Sequence, residues 1–168
     1  EGISHKNTLL VLDDEAIIVE QLKRLLEKEG YEVFSAYNGR NGLNIIENNK
    51  IDLIITDIKM GDMDGIEVLQ RAKRLYQDIE GIMVTAYHDK EFAIKSLRAG
   101  AIDYITKPVD LDELLFSVKK VIERINLNRN SLYRNRELKI TSEIIARMNE
   151  ELERRIEERT KELNQRKQ

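Results

Sequence analysis

The first two thirds of the chain alternate short apolar runs with longer segments in which apolar residues recur every three to four positions. The short runs predict strands, and the longer segments predict helices with one buried face. The predicted strands are Thr8–Leu12, Glu32–Ala36, Ile51–Thr56, Ile82–Thr85 and Asp103–Thr106. The predicted helices are Glu15–Glu29, Asn38–Asn48, Gly65–Tyr76, Lys90–Ala99 and a last helix that begins at Asp110.

Strands that alternate with helices in this way indicate an α/β fold. Such alternation is typical of right-handed βαβ units, which build a parallel sheet with helices on both faces. The run Ile51–Thr56 is β-branched and almost entirely apolar, as expected of a strand that is covered on both faces. We therefore expect a doubly wound, five-stranded parallel sheet.

The last forty or so residues have a different pattern, because apolar side chains recur there every seven positions. Leu138, Ile145 and Leu152 form one line, and Ile156 and Leu163 form a second line beside it. This heptad seam predicts a coiled-coil helix that dimerises, and the polar residue Asn149 within the seam would set its register. The seam comprises Leu138, Ile145, Asn149, Leu152, Ile156 and Leu163. The alternative is a solvated single helix held by ion pairs four residues apart, such as Glu151 with Arg155.

All eight glycines and the only proline lie at or before Pro108, which indicates a boundary after the α/β part. We predict an N-terminal tail or cloning remnant at 1–5, one domain at 6–125, and a helical linker and dimerisation segment at 126–168. The helical pattern still runs at Gln168, so we expect an output domain beyond it.

Composition excludes several classes of function. The absence of cysteine excludes disulfides and any cysteine-based zinc, redox or nucleophilic site. Apolar runs are too short for a membrane span, and no apolar leader opens the chain, so a cytoplasmic location is expected. Basic residues in the tail alternate with acidic ones, which argues against direct nucleic-acid binding by this segment.

Polar side chains follow four of the five predicted strands. Asp13 and Asp14 follow the first strand, Asp57 follows the third, Thr85 ends the fourth, and Lys107 follows the fifth. In an open parallel sheet the carboxyl ends of the strands share one edge, which is where a site forms. Three carboxylates, a hydroxyl and an ammonium should therefore converge.

Convergent carboxylates repel one another unless a cation is supplied. Oxygen ligands suit Mg²⁺, which would relieve that repulsion. A carboxylate beside the metal could act as a nucleophile toward a phosphoryl group and form an aspartyl-phosphate. Mg²⁺, Lys107 and the Thr85 hydroxyl could then stabilise the charge on the transferred group.

Four segments carry a resemblance to a known family. They are LLVLDDE at Leu9–Glu15, ITDIKMGDMDG at Ile55–Gly65, MVTAY at Met83–Tyr87 and DYITKP at Asp103–Pro108. In this order and spacing the chain resembles the receiver domain of bacterial two-component response regulators over residues 6–125. The resemblance implies a flavodoxin-like fold and a phosphorelay signalling function.

The resemblance also implies roles for individual residues. Asp57 would be the phosphoacceptor. Asp13, Asp14 and Asp57 would bind Mg²⁺, together with the backbone carbonyl of Lys59. Lys107 would pair with the phosphoryl group.

Three further features follow from the same resemblance. Thr85 would move to donate a hydrogen bond to the phosphoryl group, and Tyr104 would turn inward as Thr85 moves. The Lys107–Pro108 peptide bond is expected to be cis, which is a minority state for X–Pro bonds. One departure is visible, because Met60 is followed by Gly61 where the family usually has proline.

The expected function is therefore a receiver that takes a phosphoryl group from a histidine kinase onto Asp57. It would catalyse only its own phosphorylation and dephosphorylation, and would signal through the C-terminal helix to a homodimer or an output domain. One alternative is a hydrolase with an aspartyl nucleophile, although such enzymes have D-x-D where this chain has Asp13-Asp14. Another is an inert dimerisation module, which would bind no Mg²⁺ in calorimetry.

Overall fold

The structure, a computed structural model, describes residues 6–86 and 90–167. It consists of two compact units, divided between Ile125 and Asn126. The predicted N-terminal tail at 1–5 and the last residue of the MVTAY segment, Tyr87, lie outside the described residues.

The first unit contains the predicted α/β fold. Its strands are β1 (Thr8–Leu12), β2 (Glu32–Ala36), β3 (Leu53–Thr56), β4 (Glu80–Thr85) and β5 (Asp103–Thr106). The helices are α1 (Ala16–Lys28), α2 (Gly39–Asn48), α3 (Gly65–Leu75), α4 (Lys90–Arg98) and α5 (Leu111–Arg166). The predicted fold class is confirmed, with small shifts at the ends of elements.

Two strand starts are shifted by two residues: β3 begins at Leu53 rather than Ile51, and β4 begins at Glu80 rather than Ile82. Glu80 and Gly81 pair with Leu53 and Ile54 of β3, although neither residue is apolar. Gly81 packs closely against Leu69 of α3: a Cβ added to Gly81 would lie 2.6 Å from a Leu69 methyl carbon. The strand therefore begins where pairing with β3 begins, which an apolar-run criterion does not detect.

The strands form one sheet in the order β2-β1-β3-β4-β5, and every neighbouring pair is parallel. Backbone hydrogen bonds continue past the strand ends: the Asp57 N–H donates to the Leu12 carbonyl at 2.9 Å, and the Lys107 N–H donates to the Thr85 carbonyl at 2.8 Å. These bonds fix the residues that follow β3 and β5 at the carboxyl edge of the sheet.

The sheet is covered by helices on both faces. Alternate residues of β1 point to opposite sides, so that Leu9 and Val11 belong to one buried cluster and Leu10 and Leu12 to the other. The first cluster also takes Val19, Leu22 and Leu26 of α1 and Leu114, Val118 and Val121 of α5. The second takes Leu43 and Ile46 of α2 and Val68, Leu69 and Ala72 of α3. Burial on both faces holds the carboxyl edge in a fixed geometry.

The second unit is helical over its described residues, as part of α5. Apolar seam side chains are half or more exposed in the single chain, from 53% for Ile145 and Leu152 to 67% for Leu138. Glu151 accepts hydrogen bonds from the guanidinium groups of both Arg154 and Arg155 at 2.9 Å. No helix among the residues described is both long enough and apolar enough to cross a membrane.

Candidate functional site

Asp13 is the first residue after β1 and is almost completely buried, with 2% of its surface exposed. Its Oδ1 accepts the Glu15 N–H at 2.9 Å, and its Oδ2 accepts a hydrogen bond from the Lys107 ammonium at 2.7 Å. Burial raises the pKa of Asp13 above its ordinary value, and the bonds from Lys107 and Glu15 only partly offset that effect. The carboxyl group is therefore held rigidly at the sheet edge.

Asp57 occupies the corresponding position after β3 and is also buried. Its Oδ1 accepts the Ile58 N–H at 2.6 Å, and its Oδ2 accepts a hydrogen bond from the Lys107 ammonium at 3.0 Å. Both carboxylate oxygens thus have donors, which fixes the orientation of the group.

Lys107 brings the two buried carboxylates together. Its side chain is 11% exposed, and its Nζ also lies 3.4 Å from Glu15 Oε1. Burial alone would lower the pKa of this ammonium, but the hydrogen bonds to Asp13 and Asp57 outweigh burial and raise its pKa. Lys107 is therefore the positive partner of this site, and its peptide bond to Pro108 is cis.

The acidic group is larger than these two residues. Asp13, Asp14, Glu15 and Asp57 each offer an oxygen within 4.8 Å of the others, with Asp14 and Glu15 on the solvent side. The sequence interpretation missed Glu15 as a member of the site. The signal available was its place directly after Asp13-Asp14, and only the side-chain geometry shows that it reaches the cluster.

The other predicted site residues lie at or near the same edge. Thr85 ends β4 and is fully buried, while Tyr104 lies on β5 opposite Met83 and is half-buried against the second core cluster. Lys59 is in the loop after Asp57, and its exposed side chain places Nζ 5.6 Å from the centre of the Phe92 ring on α4.

A glycine shapes the far end of that loop. The Gly65 N–H donates to the Ile58 carbonyl at 2.7 Å, which closes the loop at the start of α3. A Cβ on Gly65 would lie 2.0 Å from the Asp57 carbonyl oxygen, a distance that no side chain tolerates. The close approach of α3 to Asp57 therefore requires glycine here.

The donor set fits a hard divalent cation. All the clustered side-chain ligands are carboxylate oxygens, the type that Mg²⁺ prefers. Two buried carboxylates share the one ammonium of Lys107, so formal negative charge remains at the edge. Buried carboxylates of this kind, paired with one lysine at the carboxyl edge of a doubly wound parallel sheet, define a phosphoacceptor domain of the receiver class.

Comparisons with known proteins agree with that class. The family described as response regulator receiver domain matches residues 9–119. Sporulation initiation phosphotransferase F of Bacillus subtilis is 38% identical, over 68% of this chain and 92% of that protein. A CheY-like receiver domain protein from Methanospirillum hungatei has a crystal structure that covers 74% of this chain and 99% of its own, with 39% identity and a TM-score of 0.71.

The chain belongs to the response regulator receiver domain family. It is a signalling phosphoacceptor domain of two-component systems. Other relatives are much longer proteins: regulatory protein AtoC of Escherichia coli is 36% identical over 70% of this chain but only 25% of its own length. The chain therefore spans about a quarter of the length of that relative.

Proposed function

We propose that Asp57 is the phosphoacceptor and that a histidine kinase is the donor, with Mg²⁺ bound beside it. The observation that supports this most directly is the shared Lys107 ammonium, which lies 2.7 Å from Asp13 and 3.0 Å from Asp57. That arrangement places a buried, oriented carboxylate next to a fixed positive charge at the open edge of the sheet.

The transfer is a displacement at phosphorus. A carboxylate oxygen of Asp57 bonds to the phosphorus as the bond between phosphorus and the donor imidazole nitrogen breaks, and the electron pair of that bond stays on the nitrogen. A proton already carried by the other ring nitrogen of the phosphohistidine lets the ring leave as neutral imidazole. The product is an acyl phosphate on Asp57. Hydrogen bonds from the Ile58 N–H and Lys107 orient the carboxylate before the reaction.

Asp13, Asp14, Asp57 and the backbone carbonyl of Lys59 would hold the Mg²⁺. When bound, the metal supplies positive charge that offsets the negative oxygens of the phosphoryl group. Asp13 is suited to this role because the Glu15 N–H and Lys107 already fix both of its oxygens.

Lys107 and Thr85 act on the product. Lys107 neutralises the phosphoryl oxygens, and the Thr85 hydroxyl moves to donate a hydrogen bond to one of them. Tyr104 is half-buried on the neighbouring strand, and it would turn inward as Thr85 moves. The domain thereby catalyses its own phosphorylation and hydrolysis and turns over no other substrate.

The tail carries the output. Its apolar seam is more than half exposed in the single chain, and a second copy of the same helix would cover it. We assign the tail to a homodimeric coiled coil that transmits the phosphorylation state to the dimer or to an output domain. The longer transcriptional regulators among the relatives support such an arrangement.

Acetyl phosphate with Mg²⁺ tests the phosphoacceptor. Intact mass spectrometry should detect one added phosphoryl group on the chain, which Asp57→Asn and removal of Mg²⁺ by EDTA should each abolish. The matched control is Asp78→Asn, an exposed aspartate outside the acidic cluster, which should be modified like the unsubstituted chain. Undiminished modification of Asp57→Asn would overturn the assignment.

A further inference from the structure

We propose that Asp62 is a positioning residue that ties the loop after Asp57 to helix α2, and so fixes the Lys59 carbonyl for Mg²⁺. We call residues 58–64 the acceptor loop. This inference rests on the proposed function, because it concerns the metal site proposed there.

The contact between Asp62 and α2 is bidentate. Asp62 Oδ1 accepts the Gly39 N–H and Oδ2 accepts the Arg40 N–H, both at 3.1 Å. These N–H groups belong to the first turn of α2, where the helix has no carbonyl partners of its own and carries partial positive charge. The bonds from Arg40 and Gly39 lower the pKa of Asp62, so the carboxylate is ionised at neutral pH.

Helix α2 has an N-terminal cap other than Asp62. Asn38, the residue before α2, accepts the Asn41 N–H through its own side chain at 2.8 Å. Asn38 therefore provides the local cap, whereas Asp62 reaches α2 from 22 or more residues away in sequence. A bond of that span constrains the acceptor loop rather than α2 only.

Gly61 makes this constraint necessary. It has a φ of +87°, and the neighbouring Asp62 N–H donates to the Met60 carbonyl at 3.1 Å. The positive φ directs Asp62 toward α2, but glycine also leaves the backbone freer to rotate than the proline usual in the family. Met63, the residue after Asp62, packs closely against Gly39 of α2. A Cβ added to Gly39 would lie 2.7 Å from the Met63 Cβ.

The rest of the loop is fixed at its two ends. Asp57 is held at the sheet edge, and at the far end Asp64 caps α3 by accepting the Glu67 N–H at 2.7 Å. Lys59 lies between these ends, three residues before Asp62. Because Mg²⁺ demands near-ideal octahedral geometry, a loop that loses its middle anchor presents the Lys59 carbonyl less precisely and binds the ion more weakly.

Calorimetric titration of Mg²⁺ into the full chain tests the inference. Asp62→Ala should bind Mg²⁺ about tenfold more weakly, the loss typical of removing a group that orients a metal ligand. Asp62→Asn retains one acceptor oxygen and should be intermediate. The matched control is Asn38→Ala, which removes the local cap of α2, leaves the acceptor loop intact and should bind like the unsubstituted chain.

The outcomes separate this inference from the proposed function. Equal affinity in Asp62→Ala and the unsubstituted chain, or an equal loss in Asn38→Ala, would overturn the positioning role and leave the metal site standing. Failure of the unsubstituted chain to bind Mg²⁺ would overturn both. If circular dichroism shows that Asp62→Ala does not fold, Asp62→Asn against Asn38→Ala decides the question by the same criteria.

Discussion

Charge balance at the sheet edge depends on one side chain, Lys107. Two buried carboxylates accept hydrogen bonds from its ammonium, and a buried carboxylate that loses such a donor carries a desolvation penalty. Burial lowers the pKa of Lys107, but the hydrogen bonds that its ammonium donates to Asp13 and Asp57 outweigh burial, and the net pKa is raised. For Asp13 the balance is the opposite: burial raises its pKa by more than the hydrogen bond from Lys107 lowers it.

Replacing Lys107 with methionine should therefore destabilise the domain. Lys107→Met leaves Asp13 and Asp57 buried without their cation, and should lower the free energy of unfolding in EDTA by about 2 kcal/mol. Urea denaturation measures this directly. Lys120→Met, which changes an exposed lysine of α5, is the control and should have little effect. An unchanged denaturation midpoint for Lys107→Met would show that the ammonium does not stabilise the buried carboxylates of Asp13 and Asp57.

Residues whose position follows from strand order could be predicted from the sequence. Asp13, Asp57 and Lys107 each follow a parallel strand, so their meeting at one edge is a consequence of topology. Glu15 and Asp62 could not be predicted in this way. The place of Glu15 depends on its side-chain conformation beside Lys107, and that of Asp62 depends on the path of a loop through a positive φ at Gly61.

The acceptor loop joins β3 to α3 through two glycines with different requirements. Gly61 has a positive φ, and a Cβ added to it would have open space around it. A Cβ added to Gly65 would clash with the backbone of Asp57. Conformational strain alone is therefore expected at the first position, and a steric clash at the second.

This difference predicts unequal costs for the same substitution. Gly61→Ala should lower the free energy of unfolding by about 1 kcal/mol, the cost of a left-handed backbone for an L-residue. Gly65→Ala should cost clearly more, because α3 must shift away from Asp57, and it should also slow modification by acetyl phosphate. Thermal denaturation of both variants makes the comparison. An equal cost at the two positions would contradict the close approach of α3.

The tail helix carries an exposed ion network centred on Glu151. Hydrogen bonds from Arg155 and Arg154 lower the pKa of Glu151 below its ordinary value of 4.5. A lowered pKa in the folded state means that the pairing stabilises the helix above the ordinary pKa and is lost as the pH falls through the lowered value.

Thermal denaturation followed by circular dichroism at several pH values tests the direction of this pH dependence. Glu151→Gln should melt at a lower temperature than the unsubstituted chain at neutral pH, and the difference should vanish in strong acid. High salt should reduce it as well, since exposed pairs are screened. A difference that persists in acid would show that the ionised carboxylate is not its cause.

Element types could be predicted from apolar periodicity, whereas some boundaries could not. β4 begins at Glu80 because that residue pairs with Leu53, and no property of Glu80 itself indicates a strand. In the tail, the sequence predicts a dimerisation seam, with an ion-paired single helix as the alternative, and Glu151 and Arg155 form one of the ion pairs expected of that alternative. The seam remains a prediction, because a single chain has no partner to cover it.

For the whole molecule, the proposed homodimer requires that two copies meet through the tail. Leu152 lies on the seam and Ile140 lies off it, two residues after Leu138 and so on another face of the helix. Both side chains are similarly exposed, at 53% and 56%, so a lysine at either position is tolerated equally by an isolated chain.

Light scattering of the two lysine variants should therefore separate them. Leu152→Lys places two ammonium groups in the seam and should give a monomer, while Ile140→Lys should remain a dimer like the unsubstituted chain. Monomers in all three samples would rule out the homodimer, and dissociation by both variants would rule out this seam.

The central claim is that a phosphoryl group is bonded to Asp57, and chemical mapping of that bond tests it most directly. Sodium borohydride reduces an acyl phosphate of aspartate to homoserine, so the chain treated with acetyl phosphate and Mg²⁺ is reduced, digested and sequenced by mass spectrometry. We predict homoserine at position 57 and aspartate retained at 13 and 14. Homoserine at either of those positions, or its absence from position 57 in a folded, phosphorylated sample, would contradict the account.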